Sequence, residues 1–271
     1  MVYLKSAPIH GPTFLLPQQQ MMPLFKLLLL LIALAFSQMT FAQNITIAVA
    51  SNMKPTFEEM YADFSQMHPN KMRIVYGSSG NLSAQIRQGA PFSLFIAADE
   101  SFPQRLSQEG LTRDGGVVYA IGQLALIVSR VSSTHLEKST GYESVLAKAN
   151  KVAIANPDLA PYGKAAVQYL KAAKLWDGVK DKLVFGGNIS IPTVYVSAGV
   201  ATAGFTALSL AQAPELAQTI QFIALPPDMY QPIKQRMVLL KNPPAPALEL
   251  YDYIQSAAAK NILIKHGYLA P

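Results

Sequence analysis

No cysteine occurs among the 271 residues. That excludes disulfides, thiolate nucleophiles, thiolate metal sites and lipid attachment through a cysteine after export. Charge is sparse as well: 14% of residues are Asp, Glu, Lys or Arg, against 51% hydrophobic. Basic residues outnumber acidic ones 22 to 16, but they are scattered in pairs such as Lys71 and Arg73 or Lys148 and Lys151. No block of them tracks a phosphate backbone, so no nucleic-acid partner is expected. The four histidines, His10, His68, His135 and His266, stand far apart, and no His/Asp/Glu run has ligand spacing. Neither a bare metal-ion site nor a cofactor is expected. There is one tryptophan, Trp176, in "KLWDG" after a helical run, where it reads as packing.

What is present begins with a leader. "MMPLFKLLLLLIALAFSQMTFAQ" has one lysine and then an apolar run from Leu27 to Phe36, well short of the roughly 20 residues a membrane-spanning helix needs. Thr40 and Ala42 suit a cleavage site, so residues 1–42 read as an upstream extension plus a signal peptide cut after Ala42. The stretch before Met21 has no signal character and is expected to be a mis-assigned start. Removing residues 1–42 takes away Lys5 and Lys26 and no acidic residue, which leaves 20 basic and 16 acidic side chains. The exported protein is expected free in a periplasm-like compartment.

From residue 45 onward, short β-rich runs alternate with helical patterns, the mark of an α/β fold with largely parallel sheets. "ITIAVA", "MRIVYG", "FSLFIAAD", "KVAIANP", "KLVFGGN" and "IQFIALP" read as strands. Residues 54–68 carry Phe57, Met60, Tyr61, Phe64 and Met67 on one helical face. "VVYAIGQLALIVS" (117–129) is too long for one ordinary strand and contains Gly122, so it reads as a crossing between lobes. Residues 233–241 read as a returning strand, and a C-terminal helix follows the proline cluster. The expected division is residues 43–122 plus 228–271 in lobe 1 and 123–227 in lobe 2, with a ligand cleft at the strand ends between them.

Four turns share one form, a β run that ends in small or polar residues just before a helix: "AVASNMKP" (48–55), "VYGSSGNL" (75–82), "NPDLAPYGKAA" (156–166) and "FGGNISIP" (185–192). Each helix start leaves backbone N–H groups unpaired and carries about half a positive charge, so each can hold an oxyanion. Ser51, Asn52, Ser78 and Ser79 add neutral hydroxyl or amide donors, and Gly77 and Gly80 allow close backbone approach. The same residues also suit plain N-capping. Asp99 and Glu100 follow a strand as an acidic pair that complements the next helix dipole.

"ITIAVASNM", "YGSSGNLSAQIRQGAPFSLFIAADE", "YAIGQLAL", "AIANPDLAPYGKAA", "GGNIS" and "AGFTALS", in that order, resemble the periplasmic molybdate-binding proteins of ABC importers. The resemblance spans about residues 44–271. It implies a type II periplasmic-binding-protein fold, two α/β lobes closing on a molybdate or tungstate dianion that is handed to an ABC permease in the inner membrane. Carried over by position, Ser51 and Asn52 match first-turn ligands and Ser79 the second-turn serine. Tyr162 and Ile189 match positions that offer mainly backbone N–H groups. Ser78 is a secondary contact and Asn188 supports its loop. The metal thus enters only as its oxyanion, and a monomer is implied.

The chain departs from the family at Gly187, Asn188, Ile189, Ser190, Ile191 and Pro192 and at Ala201, Thr202 and Ala203. A tyrosine that some members place near Gly204 is absent, which leaves Tyr162 to supply a hydroxyl or a ring wall. Two alternatives stay open: a binding protein for another oxyanion such as sulfate or phosphate, and a hydrolase using Ser78 or Ser79. The second lacks a G-x-S-x-G elbow, because Asn81 stands where the last glycine belongs.

Overall fold

The computed structural model describes residues 45–69, 71–132 and 141–271. The expected leader, the upstream stretch, the cut after Ala42, His10 and His135 lie outside the described residues.

Each of two five-stranded sheets has helices around it. The first contains β1 (Thr46–Ala50), β2 (Arg73–Gly77), β3 (Phe92–Ile96), β4 (Val117–Gly122) and the late strand β10 (Ile233–Leu239), in the order β2-β1-β3-β10-β4. The second contains β5 (Leu124–Ser129), β6 (Val152–Ala155), β7 (Leu183–Gly186), β8 (Ala203–Ala207) and β9 (Ile220–Ala224), in the order β7-β6-β8-β5-β9. All residues of β1, β5, β6 and β8 are buried, as strands covered on both faces require.

The sheets are less parallel than the alternation of elements suggested. β1 runs parallel to β2 and β3, but β10 is antiparallel to both of its neighbours. Likewise β6 is parallel to β7 and β8, while β5 is antiparallel to β8 and β9. In both sheets the reversed strand is one that enters from the other sheet, so its direction follows the crossing and not a βαβ unit.

The long run 117–129 does cross. β4 closes at Gly122 in the first sheet and β5 opens at Leu124 in the second. Glycine is required at the junction, since a Cβ there would lie 2.1 Å from the Tyr162 hydroxyl oxygen. The return crossing lies between Ala224 and Ile233.

Register levels the strand ends that matter. Ala50 pairs with Gly77 in the first sheet and Ala155 with Gly186 in the second, so neighbouring strands hand over to their helices on the same edge. Helix α1 (Lys54–Met67) buries Phe57, Met60 and Phe64 against the first sheet. Met67, expected on that face, is 67% exposed at the helix's last position. α2 (Ser79–Arg87) and α3 (Ser101–Gln108) complete the first series. Between the sheets' second series run α4 (Gly141–Lys148), α5 (Pro161–Ala172), α6 (Trp176–Val179), α7 (Ser190–Ser197) and α8 (Leu208–Ala211).

The C-terminal helix is two helices, α9 (Ala245–Ile254) and α10 (Ala257–Lys265). Ser256 divides them: its Oγ accepts from the Ala259 N–H at 3.3 Å and so starts a new helix. One core cluster carries Leu124, Leu126, Tyr162, Tyr169 and Phe205 of the second series and extends to Ala50 and Ala98 at strand ends of the first. Apolar packing therefore continues between the lobes beneath the cleft.

Candidate functional site

The four turns singled out above meet. Ala50, Ser51, Asn52, Gly77, Ser78, Ser79 and Ala98 from the first sheet's edge, with Ala160, Pro161, Tyr162 and Ile189 from the second, line one small cavity. No charged side chain lines it. Its polar residues are buried, with Ser51 4% exposed, Ser78 3% and Ser79 1%, so a guest held there is surrounded by protein.

The serine hydroxyls keep their hydrogens for such a guest. Ser78 is the N-cap of α2, and its Oγ accepts from the Asn81 N–H at 3.3 Å. Ser79 Oγ accepts from the Ala98 N–H at 2.9 Å. A hydroxyl that accepts from backbone still has its own O–H to give. The Ser51 hydroxyl has no hydrogen-bond partner among the described residues.

On the other wall the donors are main chain. Tyr162 is the second residue of α5 and Ile189 the N-cap residue of α7, positions whose N–H groups have no partner four residues back. Asn188 does not line the cavity; its Oδ1 accepts from the Ser190 N–H at 2.9 Å and ties the loop that presents Ile189. Four helix starts, led by the 3-10 turn Ser51–Met53 ahead of α1, therefore surround one space. Their dipoles favour negative charge there.

Two side chains behave differently from the sequence reading. The Tyr162 hydroxyl is engaged behind the cavity: it accepts from Gln235 Nε2 at 3.0 Å on the crossover strand β10 and also interacts with the Tyr268 hydroxyl. Asn52 spends Nδ2 on Gln235 Oε1 at 3.1 Å and on the Tyr268 hydroxyl at 3.0 Å, and its Oδ1 is buried with no partner. Sequence reasoning missed Gln235, Tyr119 and Tyr268, which lie 183, 116 and 216 positions from the partners they meet. Only a polar Gln235 at 0% exposure within a strand hinted at them, and burial is not legible without the fold. Burial raises the hydroxyl pKa of Tyr119 and Tyr162 and lifts that of Tyr268 to about 12, so all three are neutral donors at physiological pH.

The lobes touch across the cavity mouth. The Gly80 N–H donates to the Leu159 carbonyl at 2.9 Å, Ser209 Oγ to the Asn52 carbonyl at 2.9 Å, and Ser190 Oγ to the Ser51 carbonyl at 3.4 Å. A Cβ on Gly80 would stand 2.9 Å from the Leu159 carbonyl oxygen, so glycine is what permits this approach.

Groups with other chemistry are engaged elsewhere. His68 pairs with Glu249 at 2.9 Å and His266 with Glu59 at 2.7 Å, so neither activates Ser78 or Ser79. Glu100 pairs with Arg236 at 2.7 Å, and Asp99 accepts from Ser101 at the start of α3. Burial raises the Asp99 carboxyl pKa despite those hydrogen bonds. Among the described residues no group of three or more His, Asp or Glu could hold a metal ion.

A cavity of uncharged donors, built by two lobes that meet over it, defines a solute-binding protein of the two-lobed α/β kind. Residues 45–269 match the model of the bacterial extracellular solute-binding proteins, and the chain belongs to that family. It is 34% identical over 237 residues to the molybdate-binding protein ModA of Azotobacter vinelandii, covering 84% of this chain and 90% of that one. To ModA of Rhodobacter capsulatus it is 33% identical over 234 residues, covering 84% and 89%. The solved structure of the periplasmic molybdate-binding protein of Azotobacter vinelandii superposes with a TM-score of 0.76 at 29% identity, covering 84% of this chain and all of that one.

Proposed function

We propose that this protein captures molybdate or tungstate in the periplasm and delivers it to an ABC permease of the inner membrane. The carrying observation is the cavity itself: serine hydroxyls from one lobe and helix-start amides from both, with no fixed charge, around one small space. A dianion there is balanced by oriented dipoles. The identity to two ModA proteins supports the choice of oxyanion.

In this reading the ligand takes hydroxyl hydrogens from Ser51 and Ser79, backbone N–H groups from Asn52, Tyr162 and Ile189, and a secondary contact from Ser78. Asn188 holds the loop. Residues 43–122 with 228–271 act as one lobe and 123–227 as the other, hinged at the two crossings. Ligand entry requires them to part, and contacts such as Gly80 to Leu159 reform on closure. The chain works as a monomer after export and loss of residues 1–42. It is a binder and not a catalyst, since nothing in the cavity can deprotonate a serine.

Calorimetric titration of the purified protein with molybdate, tungstate, sulfate and phosphate tests the assignment. Tight binding of the first two and weak binding of sulfate is expected, because cavity size separates ions of equal charge and shape. Equal affinity for molybdate and sulfate, or a preference for phosphate, moves the protein to another oxyanion.

A further inference from the structure

Tyr268 follows α10, and its place is fixed from both sides. Gly267 takes a positive φ of 79° and turns the chain after the helix; the Tyr268 N–H then donates to the Leu263 carbonyl at 3.0 Å. Gln123 Nε2 donates to the Gly267 carbonyl at 2.7 Å, and Leu269 and Ile121 exchange main-chain hydrogen bonds of 2.9 Å. The segment is thus stitched to the first crossing between the sheets. Tyr268 itself is 3% exposed, within the core cluster of the first sheet.

Its hydroxyl meets Asn52 twice. Asn52 Nδ2 donates to it at 3.0 Å, and it lies 3.1 Å from the Asn52 carbonyl oxygen. It also lies 3.0 Å from Ser209 Oγ on α8, and Ser209 Oγ donates to the same Asn52 carbonyl at 2.9 Å. Each hydrogen of this group has an acceptor. Asn52 Nδ2 gives one to Gln235 Oε1 at 3.1 Å and one to Tyr268. Ser209 gives its hydrogen to the Asn52 carbonyl, and Tyr268 gives its own to Ser209 Oγ or to that carbonyl, whose oxygen has two lone pairs. The Tyr162 hydroxyl, which accepts from Gln235 Nε2, interacts with the Tyr268 hydroxyl, as does the Thr56 hydroxyl. Asn52 Oδ1 remains without a partner.

Tyr268 and Ser209 thus hold the first ligand turn from behind. Ser51 and Asn52 line the cavity from the 3-10 turn Ser51–Met53, which has no side-chain cap of its own. The cavity's donors are neutral, and a hydrogen bond weakens steeply as its angle opens, so a site without charged side chains depends on how its turns are aimed. The second turn is aimed locally: Ser78 caps α2, and Ser79 Oγ accepts from the Ala98 N–H. The first turn has its anchor 216 positions away.

We propose that Tyr268 is a positioning residue for the first ligand turn: with Ser209 it grips Asn52 at both the side-chain amide and the carbonyl and so fixes Ser51–Met53 against the cavity. This deepens the oxyanion reading and rests on it for its purpose. Because Ser209 belongs to α8 of the second series, the grip is complete only when α8 is docked on the first turn.

Tyr268→Phe removes the hydroxyl and keeps the ring. In the full-length protein it is expected to weaken molybdate binding about tenfold; unchanged affinity overturns the proposal. A double-mutant cycle separates positioning from general support of the fold. With Ser51→Ala, on the turn that Tyr268 holds, the combined loss is expected to fall about threefold or more short of the product of the single losses. With Ser79→Ala, on the other turn, it is expected to match the product within about twofold. Any other pattern, additivity with both or equal coupling to both included, overturns the assignment. In the ligand-free protein, Tyr268→Phe is expected to lower the backbone amide order parameters of residues 51–53 and leave those of residues 78–80 unchanged; unaltered values at 51–53, or an equal fall at both turns, overturn it as well. If Tyr268→Phe does not fold, Ser209→Ala takes its place in the same cycle and spectra, and the same outcomes decide. If the wild type binds no tested oxyanion, the function reading fails, while the ligand-free order parameters still decide whether Tyr268 holds the turn.

Discussion

The two walls of the cleft are built on sheets of the same order and strand sense, yet they offer different chemistry. The first lobe presents side-chain hydroxyls from Ser51, Ser78 and Ser79; the second presents main-chain amides at Tyr162 and Ile189. A hydroxyl donor disappears with one substitution. A helix-start amide persists whatever side chain it carries, provided the loop keeps its shape. The geometry around Ile189 therefore depends on its loop and not on its side chain: Asn188 Oδ1 accepts from the Ser190 N–H, and the proposed donor is backbone.

The contrast can be attacked first at the contact that joins the walls. Gly80→Ala puts a Cβ against the Leu159 backbone, and overpacking of this kind costs about 1–3 kcal/mol. Molybdate affinity should fall roughly tenfold to a hundredfold, and small-angle scattering with ligand should show the lobes held apart. Next comes Ser79→Ala, which removes a proposed ligand donor and strands the buried Ala98 N–H. Affinity should drop by about 1–3 kcal/mol and the melting temperature should fall as well; unchanged calorimetry would place the anion elsewhere.

Ser51→Ala should cost about 0.5–1.5 kcal/mol of binding with little change in melting temperature, because its hydroxyl has no protein partner to abandon. Ile189→Val sharpens the comparison from the other wall. Loss of a buried methylene should cost about 0.5–1.5 kcal/mol of stability while the dissociation constant stays within about twofold. If Ile189→Val hurts binding as much as Ser51→Ala, the division between side-chain and main-chain walls is wrong.

The smallest effect lies beside the cleft. Burial raises the Asp99 pKa above its ordinary 3.8, so its ionised form opposes folding. The stability tied to the neutral form is complete below pH 3.8 and is lost as pH rises through the folded pKa. Asp99→Asn, which keeps one acceptor oxygen for Ser101, should flatten urea-melt stability between about pH 4 and 7 and slightly stabilise the protein at neutrality.

Much of this architecture was legible before the fold was seen. Alternating apolar runs located β1, β2, β3 and β6 within three residues at each end, and the excess length of 117–129 with Gly122 marked a crossing. The lining of the candidate cavity was legible because its residues sit in local signals, small polar residues between a strand and a helix. The rest depends on contacts distant in sequence. Nothing near Gln235 in "IKQRMVLLK" tells that its side chain meets Asn52 and Tyr162, and nothing in "APYG" tells that the tyrosine hydroxyl turns to β10 and not to the cavity. The direction of β5 and β10 was hidden for the same reason: strand patterns report burial, not which neighbour a strand joins. α4 was overlooked because its short mixed pattern, "GYESVLAK", lacks a sustained apolar stripe.

The absence of charged side chains from the cavity lining has a consequence for how such a carrier lets go. With no lysine, arginine, histidine or carboxylate in that lining, no side chain against the guest changes its charge as the medium turns mildly acidic. On the proposed reading unloading is mechanical: whatever pries Gly80 from Leu159 parts the two walls together.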